Sequence, residues 1–114
     1  MAIFIGTWKE FIYHFTPRIK QQITILTKPY RDKMNNVCPK CNRQVRQIDS
    51  AHVHGRDRPQ VIGLVIKKYK RKDGLYEIKD LDLCIKEITN EHIPIEKNFL
   101  FLCKDCHKEY DSKY

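Results

Sequence analysis

Two Cys-x-x-Cys pairs, Cys38/Cys41 and Cys103/Cys106, constrain this chain more than any other feature. Two thiolates on a tight turn supply two corners of a zinc tetrahedron, and a second pair distant in sequence closes the other two. Thiol redox chemistry uses one such pair and needs a low-pKa, exposed thiol, to which nothing beyond the spacing points. Five cysteines also leave one over in any pairing scheme, which argues for metal and against a disulfide ladder. At 114 residues the chain is one domain by length and has little apolar surface to bury. An ion tying residue 38 to residue 106 would hold closed a loop that the small core alone holds poorly, so chelation is expected to unfold it.

The formal net charge is +8, from 22 Lys and Arg against 14 Asp and Glu, and this suits a polyanionic partner. Lys67, Lys68, Tyr69, Lys70, Arg71 and Lys72 form the densest basic run, with a ring available for stacking. The same run would equally serve as a solvated hairpin tip. The opening stretch MAIFIGTWKEFIYHF is interrupted by Lys9, Glu10 and His14. It has neither the order of a signal peptide nor the length of a membrane span, so a cytoplasmic location with no membrane partner is expected.

Thr7 and Glu10 have capping-box spacing ahead of Trp8, Phe11, Ile12 and Phe15, which predicts a short helix. Thr16-Pro17 offers a second start, with Ile19, Ile23 and Leu26 following until Pro29, so two packing helices are expected. Residues 29 to 37 are polar and turn-forming and read as a connector. Val61 to Tyr69 is short and β-branched and precedes the turn signal Asp73-Gly74, which predicts a strand that could form one arm of a hairpin. Ile78, Leu81, Ile85 and Ile88 keep helical spacing up to Pro94, with Asp80 and Asp82 at the start of that helix and Cys84 a core thiol within it. His14 and His92 have no companions that suggest chemistry and read as ordinary surface or partly buried residues.

Beside the second pair stand His107 and Asp111, one turn apart if the knuckle opens a helix, and both within reach of a single cation. After the first pair comes QIDSAHVHGRDR, in which His52 and His54 share a strand face by alternation. The order Cys38-x-x-Cys41, Ala51-His52-Val53, then Asn98 leading through Phe-Leu-Phe-Leu into Cys103-x-x-Cys106-His107, resembles the HNH endonuclease family of the ββα-metal superfold in its zinc-stapled form. The likeness covers residues 38 to 111. The interval from Asn98 to His107 is that of the nuclease colicins, and Asp111 falls where those proteins place another histidine.

The resemblance implies an α+β fold: an N-terminal helical extension over residues 1 to 37, then an HNH domain over 38 to 114, clamped by a four-cysteine zinc site and carrying an insertion at about 55 to 97. It implies hydrolysis of DNA phosphodiester bonds with a magnesium or manganese ion. His52 would be the general base, His107 a ligand of that cation, and Asn98 would orient the loop or the base or reach the metal. Asp111 could complete the cation site. The family usually sets a metal ligand immediately before the base, where this chain has Ala51. His54 and Asp49 are the nearby substitutes, Asp49 only with a bend or bulge. The insertion would bring residues 67 to 72 beside the site, with Arg56 and Arg58 as further phosphate-binding candidates. A restriction or defence enzyme is the expected setting; a restriction enzyme would be expected to form a homodimer, for which the apolar stripes of residues 8 to 28 are a candidate surface, whereas a nicking or non-specific nuclease need not. The alternative is a non-catalytic, zinc-ribbon-like nucleic-acid-binding module in which His52 is dispensable.

Overall fold

The computed structural model describes residues 3–113. Strand β1 (Phe4–Gly6) leads into helix α1 (Trp8–Asp32), whose N-terminus carries the expected box: the Thr7 hydroxyl accepts from the Glu10 amide, and the Glu10 carboxylate accepts from the Thr7 amide. The expected pair of helices is a single one, because Phe11, Ile19, Ile23 and Thr27 form one unbroken buried row that passes Pro17 in phase. Pro17 and Pro29 are both exposed, as are Tyr13 and Ile25, the residues four earlier whose carbonyls each proline leaves without its helical donor. Carbonyls of exposed residues can turn to water, which is why the helix survives both prolines. Beyond Pro29, Tyr30 stacks on Phe101 with centroids 6.0 Å apart, extending the helix into what the sequence presents as a connector.

Strand β2 (Ile48–His52) pairs antiparallel with β4 (Phe99–Cys103), His52 opposite Phe99 and Ile48 opposite Cys103, and helix α5 (Lys104–Ser112) follows directly. Residues 53 to 98 lie between the two paired strands. Within them the expected strand at 61 to 69 is instead helix α2 (Arg58–Ile66) with a 3-10 turn over Lys67–Tyr69. Its capping box, Asp57 with Gln60, and Pro59 in its first turn nucleate it. Val61, Ile62, Val65 and Ile66 are all buried, so the segment lacks the polar face by which sequence periodicity separates a helix from a core strand.

The turn at Asp73-Gly74 is present, Gly74 at φ 87°, and delivers strand β3 (Tyr76–Ile78), which pairs with β1. Helix α3 (Leu81–Asn90) begins on Asp80 as its cap and ends before Pro94, with Cys84 fully buried as expected. Burial pushes the Cys84 thiol up to about 12, which makes it inert as a nucleophile. A last turn, α4 (Ile95–Asn98), hands the chain to β4. The apolar row of α1 packs inside the same core as β2, α3 and β4. No helix among the described residues is long and apolar enough to cross a membrane.

Candidate metal centre and cleft

The four sulfurs of Cys38, Cys41, Cys103 and Cys106 lie within 4.8 Å of one another, and all the thiols are free of disulfides. Cys41 and Cys103 Sγ are 3.8 Å apart, the edge of a tetrahedron whose metal–sulfur bonds are about 2.3 Å. These residues form a site that can hold a metal ion such as zinc. Left-handed Asn42 (φ 59°) turns the first knuckle, closed by the Arg43 carbonyl accepting from the Cys38 amide at 3.0 Å. Burial alone would raise the Cys38 thiol, but backbone amides of Cys103, Cys41 and Lys40 aimed at its sulfur bring it down to about 6. The Cys106 thiol is instead pushed up to about 12, by the Cys103 sulfur and by burial. Four thiolates this close together would need a cation between them. Arg43 adds a positive charge outside the set, its guanidinium donating to Cys41 Sγ (3.4 Å) and Cys103 Sγ (3.8 Å) while pairing with Asp105.

Beside this centre, between α1 and the unit of β2 and α5, is a cleft of about 600 Å³ lined by His52, His54, His107, Asp49, Asp111 and Arg58 among others. His107 stands on α5 with Nδ1 3.0 Å from Asp49 Oδ2 and Nε2 3.2 Å from Asp111 Oδ2. Asp49 makes this contact from an unbroken strand register, without the bulge expected of it, because it shares a strand face with Ala51. A neutral imidazole has one N–H and cannot donate to both carboxylates. The arrangement is satisfied by an imidazolium, or by a cation taking one of the two nitrogen–carboxylate pairs.

His52 packs its ring against Phe99 (4.7 Å) and His92 (5.5 Å), and its buried Nε2 has no hydrogen-bond partner among the described residues. Burial, with the nearby charges of His92 and Arg58, lowers it to about 4, so the ring is uncharged at neutral pH. His92, which the sequence presents as an ordinary surface or partly buried residue because it lies far from the motifs, is instead fully buried behind His52, with Nδ1 2.8 Å from the Ile88 carbonyl.

His54 differs from expectation. It lies past the end of β2 and stacks on Tyr110 at 3.8 Å, with Nε2 3.0 Å from the Tyr110 carbonyl, so that nitrogen is spent on α5 and is not turned to His107 as a ligand. Asn98 is 4% exposed and lies behind the cleft. Its Oδ1 accepts from Arg56 Nε (2.9 Å), its Nδ2 donates to the Pro94 carbonyl, and its own carbonyl accepts from Val53. Of the roles open to it, orienting the loop after β2 is the one these bonds serve. Arg56 is correspondingly engaged by Asn98 and by Glu91.

The basic run does not lie beside the cleft: none of Lys67, Lys68, Lys70, Arg71 and Lys72 lines it, Lys68 pairs with Glu87, and Arg71 pairs with Asp73 and Glu77. Helix α2 has taken the place of the hairpin that would have presented it. The cationic wall comes instead from Lys20 and Arg31 of α1 and from Arg58. No motif announced the α1 residues, since helical phase alone places them opposite the site. Comparison with known proteins adds no guide: no protein-family model matches the chain, nor does any curated protein or solved structure.

Proposed function

We propose that the chain is a metal-dependent endonuclease of the HNH type, hydrolysing DNA phosphodiester bonds in the cleft beside the cysteine centre. The observation that carries the reading is His107, held between Asp49 and Asp111 in the cleft that His52 also lines. The succession of β2, β4 and α5 supports the ββα-metal fold, with Asp49 standing in for the ligand missing at Ala51. Magnesium or manganese suits a site of one imidazole nitrogen and a hard carboxylate, formed by His107 with Asp49 or with Asp111. Such a cation supplies charge to the scissile phosphate and the departing oxygen. The chain's own part is that His52, a neutral imidazole, accepts the proton of the attacking water. Asn98 holds the loop that follows His52 in place, and Arg58 faces the phosphate.

Plasmid cleavage by zinc-loaded protein with added magnesium or manganese tests this. His52→Ala, with zinc content and circular dichroism unchanged, is expected to lower the rate by about 10²–10⁴-fold. A second reading, a nucleic-acid-binding module without chemistry, is favoured by one feature, the shielding of His52 Nε2 behind Phe99 and His92. DNA retarded in a gel but left intact by both proteins would select it.

A further inference from the structure

Three basic residues, Lys20, Arg31 and Arg58, line the cleft together with three carboxylates, Asp49, Asp57 and Asp111, yet none of the three basic side chains forms an ion pair among the described residues. Arg31 of α1 is bound entirely by neutral oxygens: its Nη1 donates to Thr27 Oγ1 and to Ser50 Oγ (2.9 Å), and its Nη2 to the Thr24 carbonyl (3.0 Å). Thr27 is fully buried and donates its own hydroxyl to the Ile23 carbonyl at 2.8 Å, which leaves its oxygen lone pairs to the guanidinium. The dipole of α1 favours a basic residue in the last turn. That does not explain the conformation, in which the guanidinium reaches back two turns to Thr24 and across to β2. Three of its five N–H donors are spent on fixing it, and two remain.

Arg58 lines the same cleft, half-buried, with a shielded Nε that meets no acceptor and a side chain that forms no ion pair among the described residues. Its position in the first turn of α2 adds a helix end of the same sign. Lys20 lies on the cleft wall of α1, exposed, and it too has no acidic partner among the described residues. Asp57, the nearest carboxylate to Arg58 in sequence, accepts from the Gln60 amide as the cap of α2. Asp57 acts on Arg58 through space but does not pair with it, and two guanidiniums held without a direct ion pair among the described residues favour an anion with several oxygens, such as a nucleic-acid backbone presents in series.

We infer that α1 is the backbone grip of this protein: Arg31, fixed on Thr27 and Ser50, takes one phosphate of a DNA strand lying in the cleft, and Arg58 and Lys20 take its neighbours. The inference deepens the reading of the cleft as a DNA site, but it concerns binding alone and does not need the strand to be cut. It moves the contact from residues 67 to 72 to the N-terminal helix, and it gives the buried Thr27 a positioning role.

The test is fluorescence anisotropy of a short labelled DNA duplex against the zinc-loaded full chain, at several salt concentrations and with no added magnesium or manganese. Arg31→Gln and Arg58→Gln are each expected to weaken binding and to lower the slope of log K against log salt by about 1. Arg31→Lys, which keeps the charge and loses the bonds to Thr27 and Ser50, is expected to retain the slope. Should Arg31→Gln lose zinc or its circular dichroism, the Lys variant and Arg58→Gln carry the comparison. Unchanged affinity and slope in Arg31→Gln and Arg58→Gln, with binding lost instead in the combined Lys67→Gln, Lys70→Gln, Lys72→Gln variant, would overturn the inference. So would absence of binding by the unaltered protein at low salt. Loss of binding in Arg31→Gln by a protein that never cuts plasmid would uphold this inference while removing the nuclease reading.

Discussion

Whether Asp49 binds the cation or only orients His107, its carboxylate 3.0 Å from Nδ1 supports that ring, and removing the charge removes the support. Asp49→Asn is therefore expected to lower cleavage by about 10–100-fold and to shift the magnesium requirement upward, with zinc content unchanged. A magnesium titration of plasmid cleavage reads both effects. An unchanged titration would assign the contact to folding alone. The same residue marks how far single side chains were legible in the sequence. Its neighbour Ala51 leaves a gap where a metal ligand is expected, and strand alternation alone places Asp49 on the face of Ala51, two residues away. What alternation could not supply was the position of α5, which brings His107 to the carboxylate. The cysteines were legible because their chemistry requires convergence whatever the surrounding fold. His92 and Arg31 were not, since each acquires its place by tertiary packing and neither belongs to a motif.

Among the elements, the two prolines of α1 and the polar-faceless α2 account for the differences between sequence and structure. Local rules treat a proline as a helix boundary, and a buried β-branched run as a strand, because they weigh backbone cost without knowing which face meets water. In α1 the orphaned carbonyls of Tyr13 and Ile25 belong to exposed residues, so the cost is one hydrogen bond exchanged for hydration. In α2 the deciding signal was present in Asp57-Arg58-Pro59-Gln60 but was outweighed by Val61, Ile62 and Val65. If α1 is continuous for the reason given, restoring the amide at Pro17 improves the helix without disturbing the buried row. Pro17→Ala is expected to stabilise the protein by about 1–3 kcal/mol, the propensity gain less the restriction that proline places on the unfolded chain. Denaturant unfolding at fixed zinc measures it, and a destabilised variant would show that α1 depends on a bend at residue 17.

For the molecule as a whole, the question is whether the metal centre holds the entire fold or only its knuckles. The centre joins the turn at Cys38 and Cys41 to the junction of β4 and α5. The core that shares this junction runs on through β2 into α1 and α3, without a second apolar cluster to which part of the chain could retreat among the described residues. A chain of this size has a few kcal/mol to spare, whereas structural zinc in small domains contributes about 10–16 kcal/mol, so loss of the ion is expected to be loss of the fold. Cys84 turns this into a count. It lies in α3, fully buried, with its thiol raised to about 12, and it does not belong to the metal set. Alkylation of the zinc-loaded protein should therefore modify none of the five cysteines. After chelation, global unfolding exposes all five, whereas local opening of the knuckles would expose four and leave Cys84 protected. Intact mass spectrometry after a brief pulse of reagent is expected to show the five-label species as the dominant product, accompanied by loss of helical circular dichroism. A four-label product with the helices intact would mean that α1, α2 and α3 form a core that stands without the metal, and that the ion serves to bring α5, and with it His107, to the cleft.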